Sequence, residues 1–120
     1  MKLEVGMYAY SKTCRDFGIG KIVNITENGQ GFKGDLIDIQ YKHSKHAIEV
    51  QDIEASYDII DLIEVGDYVN GLPVAKTSEY IGTYEKYIEL YGSCSDWKNE
   101  DIKSVITHEQ MEQMAYKVGE

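Results

Sequence analysis

Two histidines three residues apart, His43 and His46, are the first candidates for metal binding or proton transfer. A metal site needs three or four converging ligands, and Cys14 is distant from this pair in the sequence. Lysines flank the histidines and would repel a cation. Ser44 lies beside His46, but it lacks the strand-to-helix elbow that exposes a serine nucleophile. The pattern therefore predicts neither a metal site nor a hydrolase.

Neighbouring carboxylates, such as Glu100–Asp101 and Asp58 with Asp61, are the second candidates for chemistry. Acid–base catalysis needs two such groups in a cleft that separates their pKa values. The pattern instead places these acids at exposed strand and turn positions. No glycine loop precedes a helix in the manner of a phosphate-binding site. We therefore predict a protein with no enzymatic activity, no metal and no cofactor.

The charge is acidic and unevenly distributed. The net charge is −9, which argues against sequence-independent nucleic-acid binding, since that needs Lys and Arg at phosphates. The segment Ala47–Ala75 contains no Lys or Arg. One interpretation is a solvated face that keeps the protein soluble. The other is a surface for a basic partner, formed by Glu49, Asp52, Glu54, Asp58, Asp61 and Asp67.

Ten tyrosines are the most unusual feature of the composition. A core position with the hydroxyl at the rim explains some of them, namely Tyr8, Tyr41, Tyr68 and Tyr116. Others crowd the second half of the chain, where alternation exposes one set. Exposed aromatics among acids are typical of protein-binding surfaces. We assign this role to Tyr80, Tyr87, Tyr91 and Trp97.

An internal repeat organises the elements that must position these residues. The phrase Glu4–Tyr8, with sequence EVGMY, returns as Glu64–Tyr68, EVGDY, and Val118–Glu120 is a truncated third copy. A second phrase, Asp52–Ser56, is echoed by Asp101–Val105. We interpret this as a duplication. Because a unit of about 60 residues is marginal alone, two domains, 1–63 and 64–120, are expected to pack as one body.

Alternating apolar residues predict short strands in both units. In the first unit a helical turn is predicted at Ile53–Tyr57 and a last strand at Ile59–Ile63. The expected fold class is mainly β: two tandem SH3-like five-stranded small barrels, each with a short helical turn before its last strand.

Local signals are strongest in the second unit. Asn70–Gly71 between apolar residues predicts a type I′ hairpin, and Pro73 favours an edge position. Thr107 with Gln110 matches a capping box. It predicts a helix over His108–Met114, with a closing strand at Ala115–Val118.

Three segments resemble a family of small, mostly uncharacterised phage and prophage proteins of Gram-positive bacteria: Met1–Tyr8, Ala55–Gly71 and Glu100–Gln110. The resemblance implies an accessory phage protein and brings no catalytic residues. Small acidic phage proteins of this kind often act on host defence or transcription machinery. Some are anti-CRISPR proteins, which bind a Cas nuclease and block it.

The functional expectation is a non-enzymatic binding protein in the host bacterial cytoplasm. It would block a host nucleic-acid-handling enzyme, most sharply a Cas nuclease, by placing carboxylates where phosphates bind. No apolar run is long enough to cross a membrane. One alternative is a structural or assembly protein that forms homo-oligomers through strand edges. Another is direct nucleic-acid binding at the basic spots Lys33, Lys42 and Lys45.

Overall fold

Short strands account for most of the regular structure. The computed structural model describes residues 2–27 and 34–114. Within these residues the strands are β1 (Tyr8–Ser11), β2 (Gly20–Thr26), β3 (Leu36–Gln40), β4 (Lys45–Glu49), β5 (Ile53–Ser56), β6 (Tyr68–Val69), β7 (Leu72–Glu79), β8 (Lys86–Leu90), β9 (Asp96–Lys98) and β10 (Val105–Ile106). The helix α1 spans His108–Met114. Turns of 3₁₀ helix lie at Arg15–Phe17, Val50–Asp52, Ile59–Leu62 and Asn99–Asp101.

The strands form two antiparallel five-stranded sheets with the same strand order. The first sheet is ordered β4-β3-β2-β1-β5, and the second, read from β9, is β9-β8-β7-β6-β10. A 3₁₀ turn separates the fourth and fifth strands of each sheet. The prediction of a mainly β protein with two five-stranded units is therefore confirmed. Neither sheet closes into a barrel within the described residues.

The repeat also fixes local details of each sheet. The turn that enters each sheet has a glycine with positive φ, 98° at Gly6 and 97° at Gly66. A side chain is disfavoured in this conformation, which explains why both copies keep glycine. The second strand of each sheet carries a register shift at the matching place, between Ile22 and Asn24 in β2 and between Val74 and Lys76 in β7.

Each sheet has its own apolar core. The buried residues of the first core are Met7, Ala9, Ile22, Ile37, Ile39, Tyr41, Ile53 and Ala55. Those of the second core are Ile60, Ile63, Val69, Val74, Ile88 and Leu90. Ile60 and Ile63 therefore pack with the second sheet. Because Ile63 precedes its Val-Gly turn as Leu3 precedes the other, and Leu3 packs against the first core, the two cores are closed in the same way.

Two element predictions at the end of the first unit are wrong. The segment predicted as a helical turn, Ile53–Tyr57, contains strand β5, and the 3₁₀ turn comes immediately before it. The predicted last strand, Ile59–Ile63, contains the 3₁₀ turn Ile59–Leu62 instead. A short apolar run does not distinguish a buried strand from a buried helical turn. Here β5 has already filled the edge beside β1, so the run turns into the second core.

The local signals of the second unit are mostly confirmed. Asn70 and Gly71 have φ of 51° and 86°, as a type I′ turn requires. Helix α1 has its predicted bounds. Pro73 is an exception, because it lies in β7, between β6 and β8. Its carbonyl accepts a hydrogen bond from the Tyr91 N–H just beyond the end of β8, whereas the reciprocal bond cannot form because proline has no N–H. The predicted strand Ala115–Val118 lies outside the described residues.

Candidate functional site

Asp67, the residue that follows the second Val-Gly turn, accepts hydrogen bonds from both units. Its carboxylate is 0% exposed and accepts two bonds of 2.8 Å from Arg15. The N–H groups of Glu64 and His108 donate to it at 2.9 and 3.0 Å. The prediction that Asp67 belongs to an exposed acidic surface is therefore wrong, because hydrogen bonds draw the carboxylate into the junction.

Arg15 reaches this carboxylate from the 3₁₀ turn between β1 and β2. It also donates to the Leu62 carbonyl at 2.7 Å and to Glu109 at 3.1 Å. Burial opposes the charge on Arg15, but Asp67, Glu64 and Glu109 outweigh it and raise its pKa. Burial also opposes the charge on Asp67 and by itself would raise the pKa of this carboxyl, yet the bonds from Arg15 and two backbone N–H groups lower it. Both groups are therefore charged, and they join the first sheet to the second.

A possible metal-ligand set lies at the rim of this junction. Glu64, His108 and Glu109 offer ligand atoms within 4.8 Å of one another. However, Arg15 lies 3.2 Å from Glu64 and 3.1 Å from Glu109, and His108 contacts Asp67 and Glu109. A divalent ion here would displace these bonds and face a guanidinium. The geometry fits a structural ion-pair network better than a metal site.

The histidine pair singled out in the sequence lies elsewhere. His46 stacks on Phe17, with ring centroids 4.5 Å apart and planes at 6°, and both rings contact Tyr41. His43 is exposed in the loop between β3 and β4. Cys14 and Cys94 are both free thiols. His46 is thus engaged in an aromatic cluster of the first sheet.

Two of the predicted surface acids are tied into local hydrogen bonds. Asp52 accepts from the Ser11 and Thr13 hydroxyls at 2.5 and 2.6 Å, and these bonds lower its pKa. Glu49 accepts a hydrogen bond from Gln51. Asp52 therefore joins the 3₁₀ turn before β5 to the end of β1 and the loop that follows it, whereas Glu49 ends β4.

The other three predicted acids differ in how free they are. Asp61 forms an ion pair of 2.7 Å with Lys86 and accepts a hydrogen bond from Ser56. Glu54 is exposed in β5, and Asp58 is exposed just before the third 3₁₀ turn. Neither has an ion-pair partner among the described residues. Asp58 therefore offers an unneutralised carboxylate, whereas Asp61 does not.

The four predicted aromatics do not form one patch. Tyr80 and Tyr87 contact each other, with centroids 4.5 Å apart, and Lys98 lies over the Tyr80 ring at 5.5 Å. Trp97 is opposite Ile88 in the ladder and packs against the second core. Tyr91 is exposed in the turn after β8. Strand alternation thus divides the set between the two faces of the second sheet.

Sequence reasoning did not select the most exposed apolar residues. Ile81 is 103% exposed and Tyr84 is 95% exposed, in the loop that joins β7 to β8. Tyr84 precedes β8, so the alternation that would place it on the face of Ile88 and Leu90 does not apply to it, and Ile81 lies in no alternating run. The only available signal was two large apolar residues beside Gly82 in a turn segment.

Acids and aromatics converge beside this loop, in a shallow depression of about 250 Å³. We call it the acidic–aromatic surface. Its lining consists of Asp58, Ile60, Asp61, Tyr84, Glu85, Lys86, Asn99 and Glu100. Lys86 pairs with Asp61, and Glu85 pairs with Lys98 from the neighbouring strand. Asp58 and Glu100 have no such partner within the described part of the chain, so this surface has a negative charge next to an exposed phenol.

Comparison with models of known protein families, with curated proteins and with solved structures gives no significant match. The resemblance to phage and prophage proteins therefore remains a prediction. Among the described residues, no helix has both the length and the apolar character needed to cross a bilayer.

Proposed function

We propose that the protein is a non-enzymatic, phage-encoded binding protein that blocks a host nucleic-acid-handling enzyme. In its sharpest form, it is an anti-CRISPR protein that inhibits a Cas nuclease in the host cytoplasm. The fold that we assign to each unit is an SH3-like small barrel. This assignment is supported by the common strand order and by the 3₁₀ turn before each fifth strand.

The acidic–aromatic surface is the observation on which the proposal depends. Asp58 and Glu100 lie beside Tyr84, whose ring is almost entirely exposed. Tyrosine supplies binding energy when it is desolvated at the centre of an interface. Unpaired carboxylates attract a basic partner and speed its association. Together these features favour a partner whose own surface is rich in Lys and Arg.

The mechanism that follows is occlusion. A nuclease holds the nucleic-acid backbone with Lys and Arg side chains. The carboxylates of Asp58 and Glu100 would form ion pairs with those Lys and Arg side chains in place of the phosphates. Tyr84 and Ile81 would fill an adjacent apolar depression on the enzyme. Because ion pairs between exposed groups are screened by salt, inhibition should weaken as ionic strength rises.

The experiment begins with capture of host proteins on the immobilised chain. Nucleic-acid cleavage by the captured enzyme is then measured with increasing amounts of the protein. The test variant combines Asp58→Lys, Glu100→Lys and Tyr84→Ala. The control combines Asp16→Lys and Glu112→Lys, which make the same change of charge at exposed acids outside the surface.

We expect the test variant to lose inhibition at least about tenfold, a change of about 1.4 kcal/mol, and the control to retain it. Equal inhibition by all three proteins would show that the surface is only solvated. Capture of no nucleic-acid-handling enzyme would rule out the proposed target class.

The second candidate is a structural or assembly protein that forms homo-oligomers. It is favoured by the open sheets, whose outer strands are β4 and β5 in the first and β9 and β10 in the second, because an outer strand presents one backbone edge for pairing. Light scattering coupled to size exclusion distinguishes it. A concentration-dependent increase of mass would support assembly, whereas a strict monomer would exclude it.

A further inference from the structure

A groove of about 760 Å³ lies between the two sheets and shares no lining residue with the acidic–aromatic surface. Its volume falls in the range of small-molecule sites. The first sheet and its loops contribute Phe17, Ile19, Tyr41, Lys42, His43 and Ser44. The second contributes Lys103, Ser104, Val105, Ile106, Gln110 and Met114.

The lining of this groove departs from the overall charge of the protein. The chain has 21 Asp and Glu against 12 Lys and Arg, yet the lining contains no carboxylate. Each of the other four depressions described has at least one. The lining of the groove is thus basic, although the protein as a whole is acidic.

Two ammonium groups give the groove this character, one from each sheet. Lys42 follows β3, and Lys103 precedes β10. The Lys103 ammonium donates to the Glu100 carbonyl at 3.3 Å, and the Lys103 N–H donates to Asn70 at 2.8 Å. Neither lysine has a carboxylate partner among the described residues, unlike Lys86 and Lys98. Lys42 and Lys103 thus line one groove without a neutralising carboxylate, and such lysines can bind an anionic group through charge-assisted hydrogen bonds.

The remainder of the lining is apolar or aromatic. Ile19, Val105 and Ile106 are partly exposed, and Phe17 extends the surface with its ring. Tyr41 is only 5% exposed, and its hydroxyl has no hydrogen-bond partner in the described residues. A buried polar atom without a partner is uncommon in folded proteins, but this hydroxyl is itself buried, so the proposal assigns it no contact with a ligand.

We propose that this groove binds a small organic anion, an apolar or aromatic body carrying a sulfonate, carboxylate or phosphate group. The anion would lie between Lys42 and Lys103, and the body would cover Val105 and Ile106. Because the two lysines belong to different sheets, the ligand would connect the sheets beside the Arg15–Asp67 ion pair, since Phe17 and Gln110 also line the groove.

Titration with 8-anilinonaphthalene-1-sulfonate, an aromatic sulfonate, tests the proposal through its fluorescence. Backbone amide shifts locate the bound dye on the folded protein. The test variant is Lys42→Gln with Lys103→Gln. Its control is Lys12→Gln with Lys76→Gln, two exposed lysines outside the groove. A second test variant, Ser104→Asp, adds a carboxylate to the lining, and Ser104→Asn is its uncharged match.

We expect saturable binding, with shifts at Ser44, Val105 and Ile106. Affinity should fall about tenfold in the lysine variant and in Ser104→Asp, but in neither control. The proposal is overturned by equal binding of neutral N-phenyl-1-naphthylamine, by unchanged affinity in both test variants, or by shifts elsewhere. It is also overturned if a short oligonucleotide displaces the dye and small anions do not.

Discussion

At the start of the first sheet the side chain after the Val-Gly turn is Met7, and at the start of the second it is Asp67. The turns have the same backbone, with glycine φ of 98° and 97°. In each, the side chain accepts a bond from the N–H three residues earlier: Glu4 N to Met7 Sδ is 3.2 Å, and Glu64 N to the Asp67 carboxylate is 2.9 Å.

The surroundings of these two side chains are nevertheless opposite. Met7 lies in the first core, whereas Asp67 binds Arg15 and His108. The loop after β1 is long enough to carry Arg15, while its counterpart after β6 is the tight turn Asn70–Gly71. One duplicated unit thus supplies the cation of a buried ion pair, and the other supplies its anion. The comparison indicates how two copies of one unit can become dependent on each other.

The largest expected effect on stability comes from Asp67→Met, which gives the second turn the residue of the first and so removes the difference between them. It leaves Arg15 buried without its main partner, so we expect a loss of about 3–5 kcal/mol in the free energy of unfolding. Urea unfolding measures it. The double variant with Arg15→Met should regain much of the loss. A single variant as stable as the wild type would show that the ion pair does not hold the units together.

Alanine at the turn glycines tests whether the two backbones are equivalent. Gly6→Ala and Gly66→Ala should each cost about 1–2 kcal/mol, because a Cβ is strained at positive φ. Space is not limiting, since a Cβ would meet nothing within 4 Å at Gly6 and only His108, at 3.8 Å, at Gly66. Urea unfolding should give similar losses. A much larger loss at Gly66 would mean that the junction, not the turn, determines the cost.

Thr107→Ala tests the helix that carries His108 to Asp67. The Thr107 hydroxyl accepts from the Gln110 N–H and donates to the Arg15 carbonyl, at 3.1 and 2.9 Å. We expect a loss of about 1 kcal/mol, measured by thermal unfolding. Thr107→Ser, which keeps the hydroxyl, is the control. If alanine and serine have equal effects, the cap contributes nothing.

The smallest expected effect is the change of stability in mild acid, which tests the Asp67 side of the comparison. The pKa of Asp67 is lower in the folded chain than the value near 3.9 in the unfolded chain. Its stabilisation is therefore complete above about pH 5 and is lost as pH falls through the folded value. Between pH 6 and pH 4 the wild type should lose about 0.3 kcal/mol more than the Arg15→Met, Asp67→Met variant. Equal slopes in urea unfolding would exclude this linkage.

Much of the architecture could be read from local patterns. The alternation of Ile37 and Ile39, the Asn70–Gly71 turn and the capping box of Thr107 each encode structure through nearest neighbours. The segment Ile59–Ile63 could not be read in this way, since an apolar run suits either a strand or a buried turn. Whether this run forms a strand or a turn depends on the core against which it packs, and that is a property of both sheets.

The candidate site was less accessible to sequence reasoning. The charge pattern predicts Asp67 at the surface because its segment is acidic and contains no Lys or Arg, but its partner Arg15 is 52 residues away. Tyr84 and Glu100 meet because the loop before β8 and the turn after β9 lie side by side. The spacing of these residues along the chain predicts neither the Arg15–Asp67 ion pair nor the proximity of Tyr84 to Glu100.

The sequence by itself determined the period of the repeat, most of the strands, the glycine turns and the helix cap, because each depends on backbone preferences within a few residues. Only the tertiary structure decided which charges are buried, which acids are neutralised and which side chains line the groove. These outcomes depend on desolvation and on distances between segments that become neighbours only when both sheets are assembled.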